Sequence, residues 1–570
     1  MGFCTESGQR CLRSNIMEKQ KEFLLYGIPT WLLALIQVGL AFITLIFAGH
    51  LGPAMLAGVG LGNTMYNVLL WSVLWGFTSA LDTFGPQVFS SPDKKYHLGT
   101  VTLKIGLQGF VVYIFILGFY LNSTHLVMLL PSEEADLVED LNQRDFSPNS
   151  SNINLHHKSY VNVNGSIPHI NPQPGLARNN DHLLKNNLEI TVAYMRMVFL
   201  VPLLDFFVSI MSKYLTVQRY IAEVYVISLA MILLHVMWNL VLVKWLHCGL
   251  FGLALSAIFT RLVTLALLIA YCWSKRKELA WCGYSAAVCK NWGESFKLGL
   301  SGAVNMFVEM GMFEIATFLS QFDGQAVLAT VVVIFQFVVL FYTIPVGIST
   351  ATTILIGNAL GAGNKSEIRS YMKLSVLNTL FLAIIISILF YLFRLPLGRL
   401  FTTSPEVLDR FTSCIWVFLF QAPFDHLQTV LSRGILISFG RQRFIALSLA
   451  LICYCIATPL IAVFVFYTNL GPTGILISFL VFAVLNSISG GVKIATLSLD
   501  KEIERADWRA TETAGPGSTD DLISCGNYAM NEQTPLTGSK NRYTMSEKNV
   551  LILIAVGLVF LSFMAYFSTF

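Results

Sequence analysis

Charge is scarce in this sequence. Only 12% of its 570 residues are Asp, Glu, Lys or Arg, against 55% hydrophobic, and the mean hydropathy is +0.64. Soluble domains carry about a quarter charged residues, so a single water-facing globule is excluded. The net charge of +4 leaves no electrostatic footprint for nucleic acid. A Gly-x-x-x-x-Gly-Lys-[Ser/Thr] phosphate loop is also lacking, which removes an ATP-driven pump. The first apolar run, from about Phe23 to Phe47, is too long for a secretory signal and no small-residue cleavage site follows it. It reads as a membrane helix. The ten cysteines are scattered. Cys272, Cys414, Cys453 and Cys455 lie in apolar runs; Cys4, Cys11, Cys282, Cys289 and Cys525 lie in segments placed inside the cell. The long polar segment placed outside has none, so no disulfide framework is expected. Cys282 and Cys289 have no His close by and do not form a zinc pattern. The sequence therefore calls for no metal, no cofactor and no enzymatic reaction.

What the chain has in abundance is long apolar stretches. Thirteen runs, near residues 23–48, 57–89, 99–121, 189–212, 221–243, 250–273, 296–320, 326–356, 373–393, 411–437, 444–467, 472–495 and 549–569, match the roughly 20 residues that cross a bilayer as helix. Pro29, Pro202, Pro345, Pro423 and Pro459 interrupt some of them, a break that neighbouring helices and water can repair. Lys and Arg in short loops fix the orientation. With the N-terminus inside, the inner loops hold Lys94 and Lys95, Lys213 and Arg219, Lys275 to Lys277 with Lys290, Lys365 and Arg369, and Arg441 and Arg443. The outer short loops hold only Lys244, Arg394, Arg399 and Arg410.

This reading divides the chain into a cytoplasmic N-terminus (1–22), an N-lobe of six spans (23–273), a cytoplasmic linker (274–295), a C-lobe of six spans (296–497), a flexible cytoplasmic tail (498–548) and a thirteenth span (549–570) that leaves the C-terminus outside. Within the N-lobe, residues 122–187 form an Asn-rich extracellular insert with glycosylation sequons at Asn122, Asn149 and Asn164, residue types that accept glycans on that side. A fourth sequon, Asn364-Lys-Ser, falls in an inner loop and is discounted.

The two lobes repeat one another at an offset of 271 residues. Gly76-Phe-Thr-Ser-Ala80 aligns with Gly347-Ile-Ser-Thr-Ala351, Gln87 with Asn358, and Lys94 with Lys365. Both copies run in the same direction, as parallel repeats do. The fold class is thus an all-α membrane protein: two six-helix bundles related by an internal repeat, plus a thirteenth C-terminal transmembrane helix.

Acids inside apolar runs are costly, by about 3 kcal/mol on insertion scales, and need a reason. Glu309 and Glu314 stand in the seventh run. Asn305, four residues before Glu309, shares its helix face and is placed to donate a hydrogen bond to it. Glu314 is turned from Glu309 by about 140°. Asp82, at the inner end of the second run, reads equally as an interfacial residue or a cavity residue. Asn239 reads as helix–helix glue. Trp71, Trp75, Tyr342, Phe335, Phe337, Phe341 and Trp416 read as packing residues or as a cation–π wall. His235, His247 and His426 read as structural.

Several strings carry a family resemblance. Ala48-Gly-His-Leu-Gly52 with Leu56-Ala-Gly-Val, Thr78-Ser-Ala-Leu-Asp-Thr83, Pro345-Val-Gly-Ile-Ser followed by Gly357-Asn-Ala-Leu-Gly-Ala-Gly-Asn364, and Phe424-Asp-His-Leu-Gln428 ahead of Gly440-Arg-Gln442 resemble the multidrug and toxin extrusion (MATE) transporters. The resemblance covers about Lys21 to Ser498, and the thirteenth span is similar to animal members. It implies functional acids at Glu309 and Glu314 and a third at Asp425 in the tenth span. Where related animal cation exporters carry Glu in the eighth span, this chain has Gln336. Phe89-Ser90 replaces a Tyr-Gly pair, and the family's Arg-Gly pair stands several residues early, as Arg433-Gly434.

The resemblance implies a secondary antiporter that exports small organic cations in exchange for protons. Burial favours the uncharged form of a carboxylic acid, so a proton and a cation can compete for one group. The expected site is Glu309, Glu314, Asp425, Gln336, Asn305 and Asp82; the expected partners are organic cations, protons and the lipid bilayer, with the protein a monomer in the plasma membrane, or in an endosomal or lysosomal one. Two alternatives stand beside it. A lipid-linked oligosaccharide flippase of the wider superfamily would need clustered basic residues, and Lys104, Arg196, Arg261 and Arg433 lie one to a span. A signalling receptor is disfavoured by thirteen spans with an internal repeat.

Overall fold

In a computed structural model, residues 6–91, 95–128, 188–281, 286–401, 404–468 and 470–514 are described, and no strand occurs among them. In chain order the helices are α1 (Met17–Leu51), α2 (Gly58–Ser90), α3 (Lys95–Asn122), α4 (Leu188–Val198 and Val201–Val217, bent by 43°), α5 (Ile221–Trp245), α6 (Gly249–Ser274), α7 (Gly293–Asp323), α8 (Ala326–Gly361) and α9 (Lys365–Leu392). There follow α10 (Phe418–Thr429, continuing as a π-helix over Val430–Leu436), α11 (Gln442–Tyr467), α12 (Pro472–Ala495) and α13 (Leu499–Ala514). Ten of these are long and apolar enough to span a membrane, eleven if the two arms of α4 are one span. The tenth run, α10, is broken: Pro405–Cys414 and a 3₁₀ turn at Ile415–Val417 precede it, Pro423 interrupts it, and it carries Asp425, His426 and Arg433. The expected thirteenth span, Asn149 and Asn164 lie outside the described residues. Asn122 ends α3, exposed, with its amide donating to the Gly118 carbonyl at 2.9 Å.

The outside of the molecule is greasier than a soluble protein tolerates. Phe115, Phe119, Leu233, Leu377, Phe381 and Leu447 are exposed, whereas Asn239, Thr260, Ser375, Thr379 and Gln421 are buried. Lipid reverses the usual penalty on exposed apolar surface, and interior hydroxyls satisfy themselves on the preceding turn. Thr260, Thr264, Thr379 and Ser387 each donate to the carbonyl four residues back.

The repeat is visible as geometry. Gly76 on α2 has no room for a Cβ against Gly302 and Ala303 of α7. Its repeat partner, Gly347 on α8, has none against Trp31 of α1, and Trp31 and Gly302 are themselves partners at the same 271-residue offset. Helices α2 and α8 cross where Pro86 meets its own partner Gly357; a Cβ on Gly357 would lie 2.7 Å from Pro86 Cβ. Small residues allow such close approach in membranes. Around this crossing, Ser90 Oγ donates to Asn358 Oδ1 at 2.9 Å, Gln87 Nε2 to the Ser438 carbonyl at 2.7 Å, and Thr83 Oγ1 to the Ile437 carbonyl at 2.6 Å. The two bundles are therefore joined at the end that carries the Lys- and Arg-rich loops.

A helix occupies that same end where the sequence suggested a flexible tail. In α13, Ala506 packs in a cluster with α8 and α10, and Ala510 in one with α2 and α3. Glu502 is buried in ion pairs with Arg441 and Arg505, and Arg509 donates to the Phe439 carbonyl at 3.0 Å. Local pattern explains the difference: Glu502, Ala506, Arg509 and Ala510 recur at spacings of three and four, so one face of an otherwise polar segment finds a groove. Outside the membrane, Lys365 hydrogen-bonds Asp500 and holds its carboxyl below the usual carboxylate range.

Candidate functional site

Glu309 sits in the middle of α7, buried, and both of its oxygens are occupied. Tyr342 on α8 donates its hydroxyl to Oε1 at 2.5 Å. Arg433 on α10 forms an ion pair with Oε2. The Asn305 amide, expected to serve Glu309, does not; Asn305 lines the adjacent cavity, and its Oδ1 is buried without a hydrogen-bond partner among the described residues. Arg433 owes its reach to the backbone. It lies in the π-helical stretch Val430–Leu436, where an extra residue per turn re-aims side chains, a device often found at functional sites. Its guanidinium lies 5.4 Å from the Trp75 ring centre and 5.8 Å from that of Tyr342, within cation–π range of both.

Asp425 stands two turns earlier on α10. It is partly buried and within electrostatic range of Glu309 and Arg433, and its Oδ1 accepts only a long 3.4 Å hydrogen bond from Gln428. Asp82 on α2 forms a 2.6 Å ion pair with Lys213 of α4, which also donates to Thr78 Oγ1 at 2.7 Å. Lys213 lies 5.8 Å from the Trp75 ring centre. Trp75, stacked on Trp71 at 5.3 Å, is thus flanked by two protein cations, one from each lobe.

These groups meet at a cavity between the lobes. Trp75, Asp82 and Lys213 line it from the N-lobe; Asn305, Met306 and Arg433 line it from the C-lobe. Arg433 stands between this cavity and Glu309, which is not itself in the wall. Glu314, half-buried farther along α7, has no hydrogen-bond or ion-pair partner among the described residues. Gln336 is half-buried on α8, also without a hydrogen bond among them, and the α8 residues of the cavity wall begin only at Val346. The structure therefore brings together Glu309, Asp425, Asn305 and Asp82, and leaves Glu314 and Gln336 apart from them.

A second buried cluster lies in the N-lobe. Asp205 of α4 accepts from Tyr66 of α2 at 3.0 Å and from Arg261 Nε of α6 at 2.8 Å. His235 of α5 touches Thr44 at 3.0 Å and Thr260 at 3.1 Å, and Ser256 donates to Asn239 at 3.0 Å. Sequence reading passed over Asp205, although an acid in Leu203-Leu-Asp-Phe-Phe is the same signal that marked Glu309. It left Tyr342 as a packing residue or part of a cation–π wall and took Arg433 for an isolated charge, because no pattern shows that a π stretch turns Arg433 toward α7. No group of three or more His, Cys, Asp or Glu among the described residues could hold a metal ion.

The profile of the MatE family matches residues 29–141 and 302–463, one stretch in each lobe. The Homo sapiens protein named multidrug and toxin extrusion protein 1 is 25% identical over 505 residues, which cover 88% of this chain and 79% of that one. The protein of the same name from Oryctolagus cuniculus is 26% identical over 511 residues, 89% of this chain and 81% of that one. Among solved structures, the eukaryotic MATE transporter AtDTX14 superposes with a TM-score of 0.73 at 18% identity, over 87% of this chain and 100% of that one. An outward-facing multidrug resistance MATE family transporter superposes with a TM-score of 0.58 at 14% identity, over 85% of this chain and 96% of that one.

Proposed function

We propose, from the premise that this chain belongs to the multidrug and toxin extrusion (MATE) family of membrane transporters, that it exports organic cations in exchange for protons. The observation that carries this reading is the C-lobe cluster: Glu309 is ion-paired to a single guanidinium, Arg433, and a second carboxylate, Asp425, lies within electrostatic range of both. With both acids ionised the cluster has one net negative charge. One proton or one monovalent cation neutralises it, and the two cannot do so together. That competition is what an exchanger needs, provided that only the neutralised state reorients. Bound cation and bound proton then bias the same equilibrium between two arrangements of the lobes.

The crossing of α2 and α8 at Pro86 and Gly357 gives the lobes a symmetric contact about which to move. The basic-loop end is assigned to the cytoplasm by the charge rule. On that assignment the joined ends close the inner side, and an acidic exterior drives export across the plasma membrane by a monomer. Glu314 is assigned an auxiliary role.

The test is uptake by proteoliposomes. An acid-inside pH gradient is expected to drive accumulation of tetraethylammonium, and a protonophore to stop it. A folded, correctly inserted protein that accumulates no organic cation under that gradient would overturn the proposal.

A further inference from the structure

The Arg433 side chain occupies what an organic cation would seek: a buried carboxylate, a methionine thioether and two aromatic faces. Its guanidinium pairs with Glu309, bonds toward Met306, and lies over Trp75 and Tyr342. It also forms part of the cavity wall, in front of Glu309. We propose that Arg433 is a tethered cation that fills one of two cationic seats in the transport cavity, so that this transporter selects monovalent over divalent organic cations. The inference rests on the cation-exchange reading and adds to it the charge class of the substrate.

The charge count supports the assignment. The cavity and the cluster behind it hold Asp82, Glu309 and Asp425 against Lys213 and Arg433. Three acids and two bases leave one net negative charge. The Asp82–Lys213 pair, at 2.6 Å, is balanced within itself, so the remainder belongs to the C-lobe cluster. A dication that entered would find one charge unmatched and would meet Arg433 on the very faces its second positive group requires. Arg433 stays protonated at any physiological pH, so it cannot yield the seat by losing its charge. Each unit of cavity charge within about 8 Å changes the attraction for a monocation by a factor on the order of 10, and for a dication by roughly the square of that.

The experiment measures binding of tetraethylammonium, a monocation, and methyl viologen, a rigid dication, to purified protein in detergent. Arg433→Gln is expected to raise the ratio of dication to monocation affinity about tenfold or more. Arg433→Lys, which keeps the charge, is expected to hold the wild-type ratio. An unchanged ratio in folded Arg433→Gln would overturn the proposal, as would loss of monocation binding in that variant. Should Arg433→Gln fail to fold, the pair Glu309→Gln/Arg433→Gln removes both charges together. It leaves the net count unaltered and is expected to keep the wild-type ratio, and a gain in dication affinity there would also overturn the assignment. Failure of the exchange reading is read separately. It would appear as wild-type protein that moves no cation in proteoliposomes, whatever the binding ratios of the variants.

Discussion

Each lobe sets a carboxylate between a tyrosine and an arginine, but among the described residues only the C-lobe adds a second acid beside the pair. In the N-lobe, Asp205 takes one hydrogen bond from Tyr66 and one from Arg261, and Arg261 also donates to the Ala257 carbonyl at 3.2 Å. In the C-lobe, Glu309 takes one from Tyr342 and one from Arg433. The arrangements are not copies made by the repeat. The tyrosines lie on the repeat-related helices α2 and α8, whereas the acids lie on α4 and α7 and the arginines on α6 and α10. What separates the clusters is balance. The N-lobe charges cancel, and the side chains around them are hydrogen-bonded: Thr44 and Thr260 flank His235, and Ser256 bonds Asn239. The C-lobe keeps Asp425 in excess, and Asn305 Oδ1 and Gln421 Oε1 are buried without partners among the described residues. A balanced, satisfied cluster has nothing left to offer a ligand. An unbalanced one beside a cavity does.

The comparison breaks most readily at the acids. Glu309→Gln and Asp425→Asn are each expected to lower proton-driven tetraethylammonium exchange by about 100-fold, the scale of a lost coupling interaction, with the protein still folded and inserted. Asp205→Asn, measured per folded molecule, is expected to leave exchange within about threefold of wild type, because its cluster contributes no net charge. Proteoliposome flux normalised to monodisperse protein decides between them. Strong loss of exchange in Asp205→Asn with near-normal exchange in Glu309→Gln would reverse the roles of the two lobes.

Stability should show the opposite ranking. Arg261→Met leaves the partly buried Asp205 with only Tyr66; stranding one partner of a buried pair costs about 3–5 kcal/mol, and the low end, about 3 kcal/mol, is expected here. The matched change Asp205→Leu/Arg261→Met removes both charges and is expected to recover most of that loss. Thermal unfolding in detergent provides the comparison. Equal destabilisation by the single and double variants would show that the pair is not the strut it resembles. Arg433→Gln is expected to cost less, since Arg433 forms the cavity wall in front of Glu309 and shortening it opens Glu309 to that cavity.

Much of this arrangement was legible in the sequence, and the reasons differ by region. Run lengths gave the helices of both lobes, because a bilayer admits little else. The repeat aligned Gly76 with Gly347, but the helices they pack against, through Gly302 and Trp31, appeared only in the structure. Glu309 stood out as an acid in an apolar run. Its partners did not, because Tyr342 and Arg433 arrive from helices 33 and 124 residues away, and their orientation depends on a π stretch without a local signature. The early Arg433-Gly434 was noticed as a departure from the family pattern, and its consequence emerged only once α10 could be seen against α7. The tail was misjudged at 499–514 for a related reason. A polar composition suggested solvent, while the partners that bury Glu502, Ala506 and Ala510 lie elsewhere in the chain.

Helix α13 offers a third region for the same comparison, an ion cluster at the water-facing end. Arg441 and Arg505 surround Glu502, and the helix touches both lobes through Ala506 and Ala510. Ending the chain after Ala514 is expected to leave exchange intact. Ending it after Ser498 is expected to cost about 1–3 kcal/mol and to lower exchange a few-fold, because the joined ends of the lobes lose a shared contact. Thermal unfolding and flux of the two truncations check this. Indistinguishable behaviour would reduce α13 to an appendage.

The smallest effect is expected at Gln336, and it sharpens what counts as belonging to the C-lobe site. The family resemblance puts a functional acid at this position, so Gln336→Glu is the change that would supply a third carboxylate. Helix geometry argues against a strong effect. Gln336 precedes Tyr342 by six residues, which turns it about 120° around α8 and moves it about 9 Å along the axis. Tyr342 faces Glu309, so Gln336 faces elsewhere, and its neighbours Phe335 and Phe337 are packed in the C-lobe core. A unit charge added about 10 Å from the cluster at an effective dielectric of roughly 20 is worth at most about 1.5 kcal/mol, and solvent at a half-buried position reduces it further. Gln336→Glu is therefore expected to tighten tetraethylammonium binding by less than about fivefold, and to leave the preference for monocations over dications unchanged while Arg433 remains. Affinities of the folded variant for the same two cations measure this directly. A gain for the dication as large as that expected of Arg433→Gln would place residue 336 inside the shared field of Glu309 and Asp425. The boundary between cluster and scaffold would then have to be redrawn to include that face of α8.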